Sequence, residues 1–303
     1  MRTRTLLTLA LTACGPSSGP AAEWADVLPD DRVRVALPDA SGQRAVGAPS
    51  EFRQLAVDVA SQVNGLVDDV LSDVSEITSF DPTWADEDAQ VAQWGPWRDD
   101  ALHETRLWVT RDADDLTRWG ADLRDIGGGD DEWVTLVAGE VDPGATRRES
   151  TGRFVFDFDG IHARVPAETT VGAFAVEYAL DGGVADATAS FVDYADHPDD
   201  LRVDAAYRYT SDGDGGGSLD VAAETELTDG GLLEVLVLRT RWLASGAGRG
   251  DALATDGDLG PLVYTASECW DAAANIVFAE NNADLEREGD AEACAFREAS
   301  FSE

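Results

Sequence analysis

From Trp133 onward the chain alternates apolar and polar residues with a period of two. It holds that period for about a hundred residues. Phe154, Phe156 and Phe158 share one face against Val155 and Asp157. Phe174, Val176, Tyr178 and Leu180 share another. Leu201, Val203, Ala205, Tyr207 and Tyr209 alternate with Arg202, Asp204, Ala206, Arg208 and Thr210, and the run from Leu219 to Thr228 repeats the pattern. Successive side chains of a strand point to opposite faces, so this is the signature of half-buried strands. Between the runs stand Asp181-Gly182-Gly183, Asp196-His197-Pro198, the stretch 212–217 and Asp229-Gly230-Gly231. These are turn sequences that leave no room for crossover helices, so the strands form an antiparallel meander.

Before the meander, Ser50 to Ile77 reads as one long helix. Phe52, Leu55, Val59, Val63, Leu66, Val70, Val74 and Ile77 recur every three or four residues, and Pro49-Ser50 supplies a start signal. Its stripe needs a sheet to cover. Leu232 to Trp242 is apolar on both faces and reads as a central strand covered on both sides. Trp84 to Trp133 carries six of the nine tryptophans. There Leu107–Thr110 reads as a strand and Leu116–Ile126 as a short helix, with the indoles plugging the edge of a core or forming a platform for a flat ligand. Leu262–Trp270 is a further strand. The expected fold is α+β and mostly β: a large curled antiparallel meander, half-barrel or barrel-like, packed on one long N-terminal helix. It occupies 49–303 as one domain.

The start of the chain has a different character. Arg2 and Arg4 precede a short apolar run from Leu6 to Leu11, as in a secretory signal. Leu11-Thr12-Ala13-Cys14 then resembles the lipobox of bacterial lipoproteins. The resemblance covers about fifteen residues. It implies cleavage after residue 13, acylation of Cys14 with a fatty acid such as palmitate, and a membrane partner reached through that anchor. Residues 14–48 are rich in Pro, Gly, Ser and Ala and read as a lipidated tether, in which Val33, Val35 and Leu37 could pair as a short strand. Gly15 after the cysteine, in place of Asp, points to the outer membrane by the enteric rule. The expected location is the cell envelope, periplasmic or surface-exposed.

Sixty acidic residues stand against 22 arginines and no lysine, for a formal charge of −38. Such a surface repels phosphates, so nucleic acid is excluded as a partner. High-salt adaptation and codon bias both account for this composition. With Cys14 lipidated, Cys269 and Cys294 remain as an even pair and are expected to form a disulfide in an oxidising compartment.

Chemistry-bearing motifs are sparse. His103, His162 and His197 lie far apart and make no metal motif. Asp212, Asp214 and Asp220 resemble part of a calcium loop, but Gly216 and Ala223 stand where further ligands are needed. Gly15–Gly19 matches G-x-S-x-G without the strand and helix that the motif requires. No catalytic residue, metal site or cofactor is assigned. Two stretches are distinctive without an activity attached: 241–249, and Glu268-Cys269-Trp270-Asp271.

Three functions stay open. First is a structural or interaction module of the envelope, with an envelope protein as partner. Second is a carrier that holds a lipid or other apolar ligand against Phe154, Phe156, Phe174 and Tyr207 in the concave face of the sheet. Similarity to the half-barrel lipoprotein carriers is architectural alone. Third is a carbohydrate-binding or hydrolysing protein.

Overall fold

The computed structural model describes Trp24 and residues 33–38, 48–98, 102–112, 116–143, 149–227, 231–283, 285 and 287–301. The signal sequence, Cys14 and most of the tether lie outside the described residues. The chain divides into two compact units. One contains Gly65–Asp181 and Tyr194–Leu201, and the other contains Arg34–Asn64, Gly182–Asp193 and the chain from Arg202. Helix α1 (Glu51–Thr78) is shared between them, with the division after Asn64.

Among the described residues the fold is mostly β, with fifteen antiparallel strands and one long helix. In the first unit lie β1 (Trp84–Asp86), β2 (Val91–Trp97), β3 (His103–Arg111), β4 (Thr117–Asp125), β5 (Val134–Pro143), β6 (Glu149–Asp157) and β7 (Val171–Asp181). The second begins with β8 (Val184–Ala195, as far as Asp193). It continues through β9 (Val203–Ser211), β10 (Gly217–Thr225), β11 (Glu234–Trp242), β12 (Gly248–Thr255), β13 (Tyr264–Trp270), β14 (Ile276–Asn281) and β15 (Arg287–Gly289). Within each unit the hydrogen-bonded order is the chain order, and β1 and β15 are edge strands.

Helix α1 starts where its sequence asks it to. The Ser50 hydroxyl accepts the Arg53 amide at 3.1 Å and donates to Glu268 at 2.8 Å. Glu268 also accepts the Phe52 amide, so a strand carboxylate sits at the positive end of the helix dipole. That placement stabilises by about 0.3–1 kcal/mol, and by up to ~2 when partly buried. The buried line is Ala56, Ala60, Val63, Val67, Val70, Val74 and Ile77. Leu55, expected on the stripe, is exposed. At the start of the helix, Phe52 lies where a Cβ on Gly250 of β12 would stand.

One device recurs in both units. Aromatic side chains lie flat over a glycine directly across the strand pair, where a Cβ would collide with the ring. The pairs are Trp108 over Gly120, Trp119 over Gly139 and Tyr178 over Gly152 in the first unit, and Trp242 over Gly217 and Trp270 over Gly248 in the second. The missing Cβ lets the ring cover the neighbouring backbone and bury itself. The first core is then completed by Phe154, at 6.1 Å from Trp119 and 6.5 Å from Phe174. In the second, Tyr209 stacks on Trp242 at 6.3 Å. Each such buried ring contributes about 1.5–3 kcal/mol.

Several local expectations are corrected. Leu116–Ile126 is no helix: 117–125 is β4, paired on both sides, with Thr117, Trp119, Ala121 and Leu123 buried along one face. Tertiary pairing and the Gly120 seat for Trp108 prevail over local propensity. Phe158 does not continue the face of Phe154 and Phe156. The Asp157 side chain accepts the Gly160 amide and starts a short helix, α2 (Phe158–Arg164). Val33 and Val35 are buried, yet 33–38 is not a strand. The Val35 N–H and C=O both bond to the Asn64 side chain, which stands in for a strand neighbour. The strand expected at Leu107–Thr110 is part of β3, and further strands run from Trp84, so the tryptophan-rich segment belongs to the sheet.

Candidate functional site

The four residues expected to face a ligand lie in two places. In the first unit Phe154 and Phe174 have no solvent exposure, and Phe156 stacks on Phe158 at 5.5 Å. In the second, Tyr207 packs edge-on against Phe191 at 5.7 Å, and burial raises its hydroxyl pKa above the ordinary value. Each is in contact with the protein's own rings. Of the acidic loop residues, Asp212 accepts the amides of Asp214 and Gly216 and so shapes a hairpin tip. Asp220 lies on β10 between Arg208 and Arg239. The described residues hold no cluster of His, Cys, Asp and Glu suited to a metal. No described helix is long and apolar enough to cross a membrane.

The strongest concentration of polar chemistry is elsewhere, on one face of the second unit. Direct cross-strand neighbours make a row: Arg208, Asp220, Arg239, Asp251, Ser267, Glu280 and Arg287, one from each of seven consecutive strands. Opposite charges directly across a strand pair stabilise it. Asp186 extends the row, with its carboxylate 2.8 Å from Arg208, and that bond is the leading cause of the raised Arg208 pKa. Burial raises the Asp220 carboxyl, and Arg239, Arg208 and Arg241 pull it back down. Two residues along, Arg241 and Arg249 face each other on β11 and β12.

Arg249 and Asp251 are almost wholly buried and 2.8 Å apart. Ser267 bridges them: it accepts from Arg249 at 3.0 Å and donates to Asp251 at 2.7 Å. A buried pair of this kind pays heavily in desolvation and holds only with its remaining groups bonded.

Those groups are met by the last residues of the chain. After β15 the chain turns through Ala291–Ala293 to Cys294, which is bonded to Cys269 on β13 with Cα atoms 5.4 Å apart. The expected disulfide is thus present. Residues 296–301 then cross the arginine face. Arg249 donates to the carbonyls of Phe296 and Arg297, Arg241 to that of Glu298 and Arg239 to that of Ser300. Asp251 accepts the Ser300 amide at 2.9 Å. The Phe296 ring lies against the Arg241 guanidinium at 5.1 Å and the Phe301 ring against Arg239 at 4.6 Å. Beside this segment is a cavity of about 370 Å³, with Ala299 and Phe301 on one wall and Asp251, Ser267, Glu280 and Arg287 among the residues opposite.

The distinctive stretches 241–249 and 268–271 are now explained. They supply Arg241 and Arg249, the helix-capping Glu268, Cys269 of the disulfide, the buried Trp270, and an Asp271 turn that accepts the Ala273 and Asn275 amides. Sequence reading did not single out Arg239, Asp251, Phe296 or Phe301. The available signal was charge at alternate positions, Arg239 and Arg241 then Arg249 and Asp251, in strands otherwise buried. Comparison with protein-family models, curated proteins and solved structures finds no match.

Proposed function

We propose that the chain is a structural or interaction module of the cell envelope, held at a membrane by acylation of Cys14. The observation that carries this reading is the filled interior. The aromatic residues that a carrier would turn toward a ligand are packed on the protein's own rings, and none of them lines the cavity beside 296–301. A surface rich in carboxylates and a disulfide suit an exported protein whose work is done by its outside. The outer membrane is the proposed site, on the strength of Gly15.

The test is made in an exporting host. With an alkyne fatty acid in the medium, the wild-type chain takes up label and partitions into detergent, and Cys14→Ser does neither. In-cell cross-linking then yields an adduct with an envelope protein. Equal partitioning of Cys14→Ser overturns the anchor. An apolar small molecule retained in native mass spectra, with no protein adduct, overturns the module in favour of a carrier.

A further inference from the structure

The contacts of 296–301 are those of a bound peptide. Three arginines grip four backbone carbonyls and one aspartate takes a backbone amide. Backbone groups are common to every sequence, so these bonds recognise the path of a bent main chain without regard to its side chains. Sequence enters through two rings, Phe296 and Phe301, five positions apart and each laid on a guanidinium. The segment itself has no helix and no strand. It does not fill its groove, since the cavity of about 370 Å³ opens beside Ala299. The charged floor is already assembled within β12 and β13, where Arg249, Asp251 and Ser267 bond to one another.

We propose that this face is a peptide-binding groove whose resident occupant is the chain's own C-terminal segment. It takes a peptide of an envelope partner that follows the same bent path and carries aromatic side chains at positions i and i+5, with room for a larger residue at the place of Ala299. The inference deepens the interaction-module reading and rests on it. Main-chain capture with aromatic anchors is an established mode of peptide recognition. The covalent tie at Cys294 holds the resident segment at high effective concentration, so an incoming peptide competes only when the rings are weakened or displaced.

The probe is a dye-labelled synthetic peptide with the sequence of residues 295–301, followed by fluorescence anisotropy against the full oxidised chain. In Phe296→Ala/Phe301→Ala the groove residues and the disulfide are intact, and hydrogen exchange reports whether 296–300 is released. The expected result is release of the segment and peptide binding at least tenfold tighter than to the wild-type chain. Adding Arg239→Gln, an exposed position, weakens that binding at least tenfold. A peptide lacking both phenylalanines does not bind. Release of the segment without peptide binding overturns the proposal. So does a segment that stays protected in the double variant, because the rings would then not be its anchors. Failure here leaves the envelope module to its own cross-linking test, which does not involve this groove.

Discussion

Each unit builds an arginine–aromatic cluster on its sheet, and the two are closed in different ways. In the first unit Trp133 lies between Arg106 and Arg124, with its ring 4.3 Å and 4.2 Å from the two guanidinium carbons. Arg106 pairs with Asp122 at 2.8 Å and Arg124 with Glu104 at 2.7 Å, both across the β3–β4 pair, and Thr135 donates to Asp122. Every member falls within residues 104–135, so the cluster completes itself as three consecutive strands pair. In the second unit the arginines come from β11 and β12, but the rings and carbonyls that satisfy them arrive some fifty residues later, on a segment tied by a disulfide. Local closure needs only the strand register. Remote closure needs a long loop to be ordered, with its entropy to be offset, and this is where a covalent tie has most effect. A cluster that depends on a detachable segment is also one that can be opened without unfolding the strands beneath it.

The largest expected effect separates the two directly. Arg249→Ala leaves Asp251 buried without its closest cation and with two of its three hydrogen-bond donors, and is expected to cost about 3–5 kcal/mol in urea unfolding. It also speeds exchange of the amides at 296–300. Arg106→Ala removes a partner from Asp122, but at a cluster nearer solvent. It is expected to cost about 1–2 kcal/mol and to free no distant segment. If Arg249→Ala leaves 296–300 protected, the remote segment does not depend on the arginine face and the contrast fails.

Next in size is the disulfide. Cys269 and Cys294 are separated by 25 residues, and the chain-entropy model gives such a loop about 3 kcal/mol. Cys294→Ser should lower Tm by roughly 6–12 °C for a chain of this size. The change in hydrogen exchange should be confined to the C-terminal segment and β14–β15. If the amides of residues 104–135 lose protection equally under native conditions, the distinction between local and remote closure does not hold.

The same distinction explains what could be read in the sequence. Period two along β6, β7, β9 and β10, the helix over 51–78 and the even cysteine pair are local or countable, and all three are present. β4 was hidden because its register partner, not its own residues, decides it: Gly120 breaks the alternation in sequence and in space is the seat of Trp108. Val33 and Val35 alternate as a strand would, yet their neighbour is an asparagine side chain on a helix. Phe158 keeps the spacing of its strand until Asp157 caps α2. The arginine face was least legible. Its ligands are backbone carbonyls, which leave no mark in sequence, and Phe296 and Phe301 are separated by polar and small residues with no periodicity. Sixty carboxylates also hid Asp251.

Acidic residues offer the finest version of the comparison, at the two ends of α1. Glu268 meets the N-terminus, where it accepts from the Ser50 hydroxyl and the Phe52 amide. Near the C-terminus Asp69, Asp73 and Glu76 crowd together, and the helix has no basic residue in its last turn. Burial, then Asp69, then Glu76 push the Asp73 carboxyl from 3.8 up to about 6. The folded chain therefore holds this proton more tightly than the unfolded chain. Stability from the protonated form is complete below about pH 4 and is lost as pH rises to about 6, beyond which the loss is constant. Asp73→Asn removes the titration. After allowance for solvent screening at this half-buried position, it should stabilise by about 1 kcal/mol at pH 7.5. The gain should shrink through pH 5 and vanish near pH 4, as read from Tm across that range. A gain that is the same at every pH would mean that Asp73 is ionised throughout. The two helix ends would then differ in hydrogen bonding and not in charge.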